Sequence, residues 1–277
     1  MKLSLCNEVI APGRDFAQQC ALAAALGYQG LEVAPFTLDA QDPTRLSPSR
    51  IAQLRATAND AGIHISSLHW LLAAPQGLSI TSPDAVVRSA TLDALRRLID
   101  LCAGLGGNVL VHGSPAQRRL PDGDTTAARA RAHSIFEAVA EHAQDAGMVY
   151  CIEPLAPPAS NYINTVAEAD VIVQAIGKPA FRAMLDCSAA TKGDTEPPAL
   201  LIDRWLPGGT LAHVHVNDSS RRGPGQGTDR FAPVIEALSR HSYAGWIAAE
   251  PFDYHPDGAT CAARTIGYLQ GLIEATT

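Results

Sequence analysis

Val149-Tyr-Cys-Ile-Glu-Pro-Leu155, Phe181-Arg-Ala-Met-Leu-Asp-Cys-Ser188, Leu211-Ala-His-Val-His-Val-Asn-Asp218 and Gly245-Trp-Ile-Ala-Ala-Glu-Pro-Phe252 are short, largely apolar runs, each carrying a carboxylate or an imidazole near its end. Their brevity and their flanking Gly, Pro or polar residues favour buried strands over buried helices. Outward from these four, similar runs occur at Lys2–Asn7, Gly30–Pro35, His64–Trp70 and Asn108–Ser114. Between the runs lie Ala-, Leu- and Arg-rich segments of helical periodicity, such as Arg14–Leu26, Pro48–Ala61 and Pro83–Leu105. Ser47 before Pro48 marks a helix start, and Gly27, Gly62 and Gly147 stand where helices should end. Strict strand–helix alternation requires a parallel sheet, and eight such units imply a closed barrel. The chain therefore reads as α/β, a single (β/α)8 TIM barrel spanning residues 1–277. An open doubly wound sheet is the main rival, but it would begin with a glycine-rich turn. Here Asn7-Glu8-Val9-Ile10 follows the first strand. The glycines of Ala103–Asn108 run from helix into strand, the reverse of a dinucleotide-binding turn. His112-Gly113-Ser114-Pro115 lacks the frame of a nucleophile elbow.

Barrels of this kind carry their chemistry at the C-terminal ends of the strands. There the last four strands present Glu153, Asp186, His215 and Glu250, separated by 33, 29 and 35 residues, each about one repeat. Residues two apart share a face. Cys151, Met184, His213 and Ala248 thus lie one step deeper on the same side, while Ile152, Leu185, Val214 and Ala249 face the helices. Singly, each of the four has an ordinary alternative: a loop carboxylate, a helix cap or a hydrogen-bonded core histidine. All four in phase point instead to a metal on the barrel axis. Three carboxylates and one imidazole favour Mn²⁺ or Mg²⁺, with Co²⁺ or Zn²⁺ also compatible, and Mn²⁺ is the foremost expectation. His69 and Trp70 end the third strand and His112 ends the fourth. They read either as rim residues or as substrate contacts, with Trp70 a wall for a sugar ring. Glu32, ending the second strand, reads as structural or as a support for the site. Arg221, before Gly223-Pro-Gly-Gln-Gly227, reads as an exposed loop cation or as a holder of a carbonyl, carboxylate or phosphate oxygen.

Composition narrows the partners. The chain has 21 Lys+Arg against 28 Asp+Glu, a net charge of −7, which argues against broad phosphate neutralisation on nucleic acid. No apolar stretch reaches the roughly 18 residues of a membrane span, and no signal-peptide core precedes Asn7 and Glu8. Six scattered cysteines without a CxxC pair read as reduced thiols, so a cytoplasmic protein acting on a small molecule is expected. The Ala- and Leu-rich helical exterior is compatible with a homo-oligomer.

The set CIEPL, LDCS, HVHVND followed by Arg221 and PGQG, and AAEPF resembles the xylose-isomerase-like TIM-barrel superfamily over essentially the whole chain. That superfamily includes sugar-phosphate isomerases/epimerases, ketose 3-epimerases, hydroxypyruvate isomerase and inosose dehydratase, and is related to the endonuclease IV group. The resemblance implies a divalent metal held by Glu153, Asp186, His215 and Glu250, with Glu153 and Glu250 also the catalytic acid/base pair. Arg221 matches the arginine that contacts substrate. Two positions depart from the epimerase pattern. Ala189 stands where His follows the metal-binding Asp, and Ala159 stands where a second Glu follows Glu153. The expected function is a metal-dependent epimerase or isomerase acting on a ketose or keto-sugar through an enediolate. The alternative is a lyase, dehydratase or decarboxylase using the same site. A non-catalytic or endonuclease IV-like relative is a third, weaker reading.

Overall fold

The computed structural model describes residues 1–276. Eight parallel strands form it: β1 (Lys2–Cys6), β2 (Gly30–Val33), β3 (His64–Leu68), β4 (Val109–His112), β5 (Val149–Ile152), β6 (Phe181–Asp186), β7 (Leu211–Val216) and β8 (Trp246–Ala249). They pair in sequence order, and β8 pairs with β1 to close the barrel. Around it run α1 (Phe16–Leu26), α2 (Pro48–Asp60), α3 (Ala85–Leu105), α4 (Thr125–Asp145), α5 (Val166–Ile176), α6 (Cys187–Gly193), α7 (Pro198–Trp205), α8 (Ala232–Arg240) and α9 (Gly258–Glu274). The expected (β/α)8 barrel is the observed one, with one addition: β6 is followed by two helices, the first starting directly from its last residue.

Local chemistry sets the helix ends. Asp15 and Gln18 form a capping box, so α1 starts at Phe16, two residues after the expected Arg14. Ser47 accepts the Arg50 N–H ahead of Pro48, as its sequence position suggested. Gly27 ends α1 with φ 96°, a conformation that is easy only for glycine. No helix among the described residues is long and apolar enough to cross a membrane.

The side-chain alternation of the strands divides the core. Ile152, Leu185, Val214 and Ala249 join the large buried cluster between sheet and helices. Cys151 and Met184 pack with Val109 and Val111 in a second cluster inside the barrel. Above this inner plug the strands end in polar residues. Asp186 and His215 are direct register partners on β6 and β7. Glu153 and Glu250 lie one residue beyond β5 and β8, where their N–H groups still bond His112 O and Val216 O. Pro154 and Pro251 follow them and have no N–H with which to continue the ladder.

Phe136 on α4 is fully buried, with its ring 5.5 Å from that of Phe181 and 5.6 Å from that of His112. Phe136→Ala should cost about 3–5 kcal/mol of unfolding free energy. A urea titration showing a loss below about 1 kcal/mol would mean that this contact does not anchor α4.

Candidate active site at the barrel mouth

Glu153, Asp186, His215 and Glu250 converge as expected. Their nearest ligand atoms all lie within 4.8 Å of one another, and all four residues are buried. Glu250 is held at both oxygens, Oε2 by His215 Nδ1 at 2.9 Å and Oε1 by His69 Nδ1 at 3.0 Å. Asp186 caps α6 by accepting the Ala189 N–H at 2.6 Å, and its other oxygen accepts from Asn217 Nδ2 at 2.7 Å. Among the described residues none donates a hydrogen bond to the Glu153 carboxylate. Space for that carboxylate comes from Gly113, where a Cβ would stand 2.2 Å from Glu153 Oε2.

Glu32 supports the group from below. It is fully buried and accepts from His215 Nε2 at 2.8 Å, from His213 Nε2 at 2.7 Å and from the Ser67 hydroxyl. A ring nitrogen tied to a carboxylate fixes the imidazole so that its other nitrogen can face a metal. His215 Nδ1 is that other nitrogen, on the side of Glu250 and Asp186.

The electrostatics record crowded like charges. Burial, then Glu250 and Asp186, push the Glu153 carboxyl up to about 8. Burial and Glu250 push Asp186 up to about 6. Burial also acts to raise Glu250, but His215 and His69 outweigh it and hold that carboxyl at about 2. Burial works against protonated imidazoles, yet Glu32 and Glu250 hold His215 well above its ordinary value, and Glu8 and Glu250 do the same for His69.

A cavity of about 510 Å³ opens above these groups. Of the residues expected to meet substrate, His69, Trp70 and Arg221 border it. His69 lies two residues beyond Ser67, whose hydroxyl bonds Glu32, and so faces inward. Trp70, at φ 52°, meets Phe252 edge-on at 6.5 Å, and the Arg221 guanidinium lies 5.4 Å from the Phe252 ring. His112 corrects its sequence reading. Val111 takes the inward face of β4, so His112 points to the helices, where it bonds the Tyr150 hydroxyl and packs on Phe136. Burial, with Arg118 beside it, holds His112 down at about 3 and therefore neutral. It does not border the cavity.

Several participants escaped the sequence reading. Asn217 lies two residues beyond His215, so strand parity could have found it. Glu8 bears the same relation to Cys6 and bonds His69 Nε2 at 3.0 Å. Arg118 is fully buried and donates to the carbonyls of His112, Glu153 and Ile163, tying the β4 and β5 ends together. Nothing local in its sequence marks it.

Comparison with known proteins identifies the family. Residues 20–271 match the family described as xylose isomerase-like TIM barrel. The chain is 29% identical to D-psicose 3-epimerase of Agrobacterium fabrum over 234 residues, 83% of this chain and 76% of that protein. It is 31% identical to 2-epi-5-epi-valiolone 7-phosphate 2-epimerase of an Actinoplanes species over 217 residues, 74% of this chain and 72% of that protein. The fold superposes on a crystal structure of D-psicose 3-epimerase in the presence of D-fructose with TM-score 0.83, 21% identity and 99% of each chain covered. These relatives are epimerases, so the lyase alternative is not favoured. The chain belongs to the xylose isomerase-like TIM-barrel family and is an enzyme of the isomerase/epimerase type.

Proposed function

We propose that the protein is a divalent-metal-dependent epimerase of a ketose or keto-sugar, with Glu153 and Glu250 as its acid/base pair. The observation that carries this reading is the convergence of three carboxylates and one imidazole in a buried mouth, with no Lys or Arg among the described residues hydrogen-bonded to any of the three carboxylate side chains. The donor set fits a cation: it is oxygen-rich, its imidazole is braced from behind by Glu32, and burial with like-charge crowding raises the carboxyls of Glu153 and Asp186. Glu153, Asp186, His215 and Glu250 would hold the ion, with Mn²⁺ the first choice. When bound, a divalent cation supplies the positive charge that stabilises an enediolate.

The chain's own residues do the rest. Asp186 and His215 are immobilised by Asn217 and Glu32 and serve as fixed ligands. The Glu153 carboxylate, free of hydrogen bonds among the described residues, and Glu250 exchange a proton with the substrate carbon from its two faces. Return of the proton to the opposite face of the same carbon is epimerisation. His69 steadies Glu250 Oε1, while Trp70 and Phe252 wall the ring and Arg221 lies beside them. The six free, buried cysteines support a cytoplasmic setting.

Chelation, or Glu153→Gln or Glu250→Gln, should lower epimerisation by at least about a thousandfold. Full activity of the metal-free protein would refute the mechanism. Gly113→Ala should displace the Glu153 carboxylate and lower kcat by about tenfold or more while the protein stays folded. Unchanged kcat would show that Glu153 need not occupy its observed position. With its carboxyl raised from 4.5 to about 8, Glu153 gives the folded metal-free chain more bound protons than the unfolded chain across that window. Stability of the metal-free protein should therefore fall as pH rises through the window, and Mn²⁺ should bind more tightly and displace protons. Calorimetry in buffers of different ionisation enthalpy measures this, and Mn²⁺ binding without proton release near neutrality would contradict it.

A further inference from the structure

We propose that the substrate carries a terminal anion, a phosphate ester or a carboxylate, received by Lys192 and Arg221. This rests on the epimerase reading and adds the substrate class. Lys192 and Arg221 come from the segments that follow the neighbouring strands β6 and β7, and both border the cavity above the acidic cluster. Both residues are exposed, and neither forms an ion pair among the described residues. By contrast, Lys178 and Arg204 pair with carboxylates elsewhere on the surface. A negative group entering the mouth would thus meet two cations without breaking an ion pair.

The position of Lys192 is built, not incidental. Its Nζ donates to Ser188 Oγ at 2.9 Å, one helical turn back along α6, which keeps the ammonium beside the cavity. The Ser188 N–H in turn donates to Asn217 Oδ1 at 3.0 Å, and Asn217 Nδ2 holds Asp186 Oδ2 at 2.7 Å. Three hydrogen bonds therefore fix the distance between the ammonium and a carboxylate of the acidic cluster. A substrate whose reacting carbons lie at the cluster and whose end is charged would span that distance. The wall after β5 offers no competing recognition. Leu155, Ala156, Pro157, Pro158 and Ala159 present no side-chain donor or acceptor to a row of hydroxyls. Specificity for the far end of the substrate then falls to the cations, because a charge-assisted hydrogen bond in a partly enclosed site outweighs one between neutral groups.

The experiment compares matched substrates in the metal-loaded protein: ketopentoses and ketohexoses, their terminal phosphate esters and their terminal carboxylates. Solvent deuterium uptake and product formation give kcat and KM for each. One anionic series should exceed the neutral sugars in kcat/KM by about tenfold or more, and whichever series does so identifies the anion. Lys192→Ala should cut this preference by a similar factor through KM, and Lys192→Arg should keep most of it. Equal kcat/KM for charged and neutral substrates, or a preference untouched by Lys192→Ala, would overturn the anion proposal while leaving the epimerase reading intact. Absence of exchange with every member would overturn the epimerase reading itself.

Discussion

Three carboxylates forced together in a buried space are the constraint around which this barrel mouth is built. Ligand oxygens no more than 4.8 Å apart repel by at least about 3 kcal/mol per ionised pair at an effective dielectric of about 20. Every neighbour answers that repulsion. His215 and His69 face the two oxygens of Glu250, and the Ala189 N–H and Asn217 amide face those of Asp186. Among the described residues Glu153 has no such donor, and burial with the two neighbouring carboxylates pushes its carboxyl up to about 8. A divalent ion would relieve all three carboxylates at once.

The elements around the mouth position these groups in distinct ways. Glu32 is a buried charge that orients two imidazoles from beneath. Arg118 is a buried cation that acts on backbone carbonyls, including that of Glu153. Asp218 organises the loop carrying Arg221 by accepting the N–H groups of Ser220 and Asp229 at 2.8 Å each. Gly227 lets that loop close, since a Cβ there would stand 2.1 Å from Asp218 Oδ1. Arg221 itself sits at φ 74°, and its carbonyl accepts from Phe252 and Asp253. The glycines after β7 thus serve tight packing, and the loop spans two strands of the rim.

Periodicity and position made much of this legible. Strand-length apolar runs at one-repeat spacing led to eight strands and a closed barrel, because burial on both sides of a parallel sheet leaves so plain a pattern. The same spacing brought Glu153, Asp186, His215 and Glu250 to one height. His112 was misplaced because its position at a strand end was counted without its parity, and Val111 already held the inward face. Arg118 could not be found, since its partners lie up to 45 residues away in sequence and are, apart from the Ser160 hydroxyl, carbonyl oxygens, which every residue possesses.

The amino-acid sequence by itself determined the architecture and the chemical identity of the central cluster. Both follow from alternation along a strand and from the repeat length, which are local or periodic properties. Only the tertiary structure decided how the cluster is supported: Glu32 under His215, Asn217 between Asp186 and Ser188, and Gly113 making room for Glu153. It alone placed Lys192 and Arg221 on one cavity. Such contacts join residues from different strand–helix units, and their distances exist only once the barrel has closed.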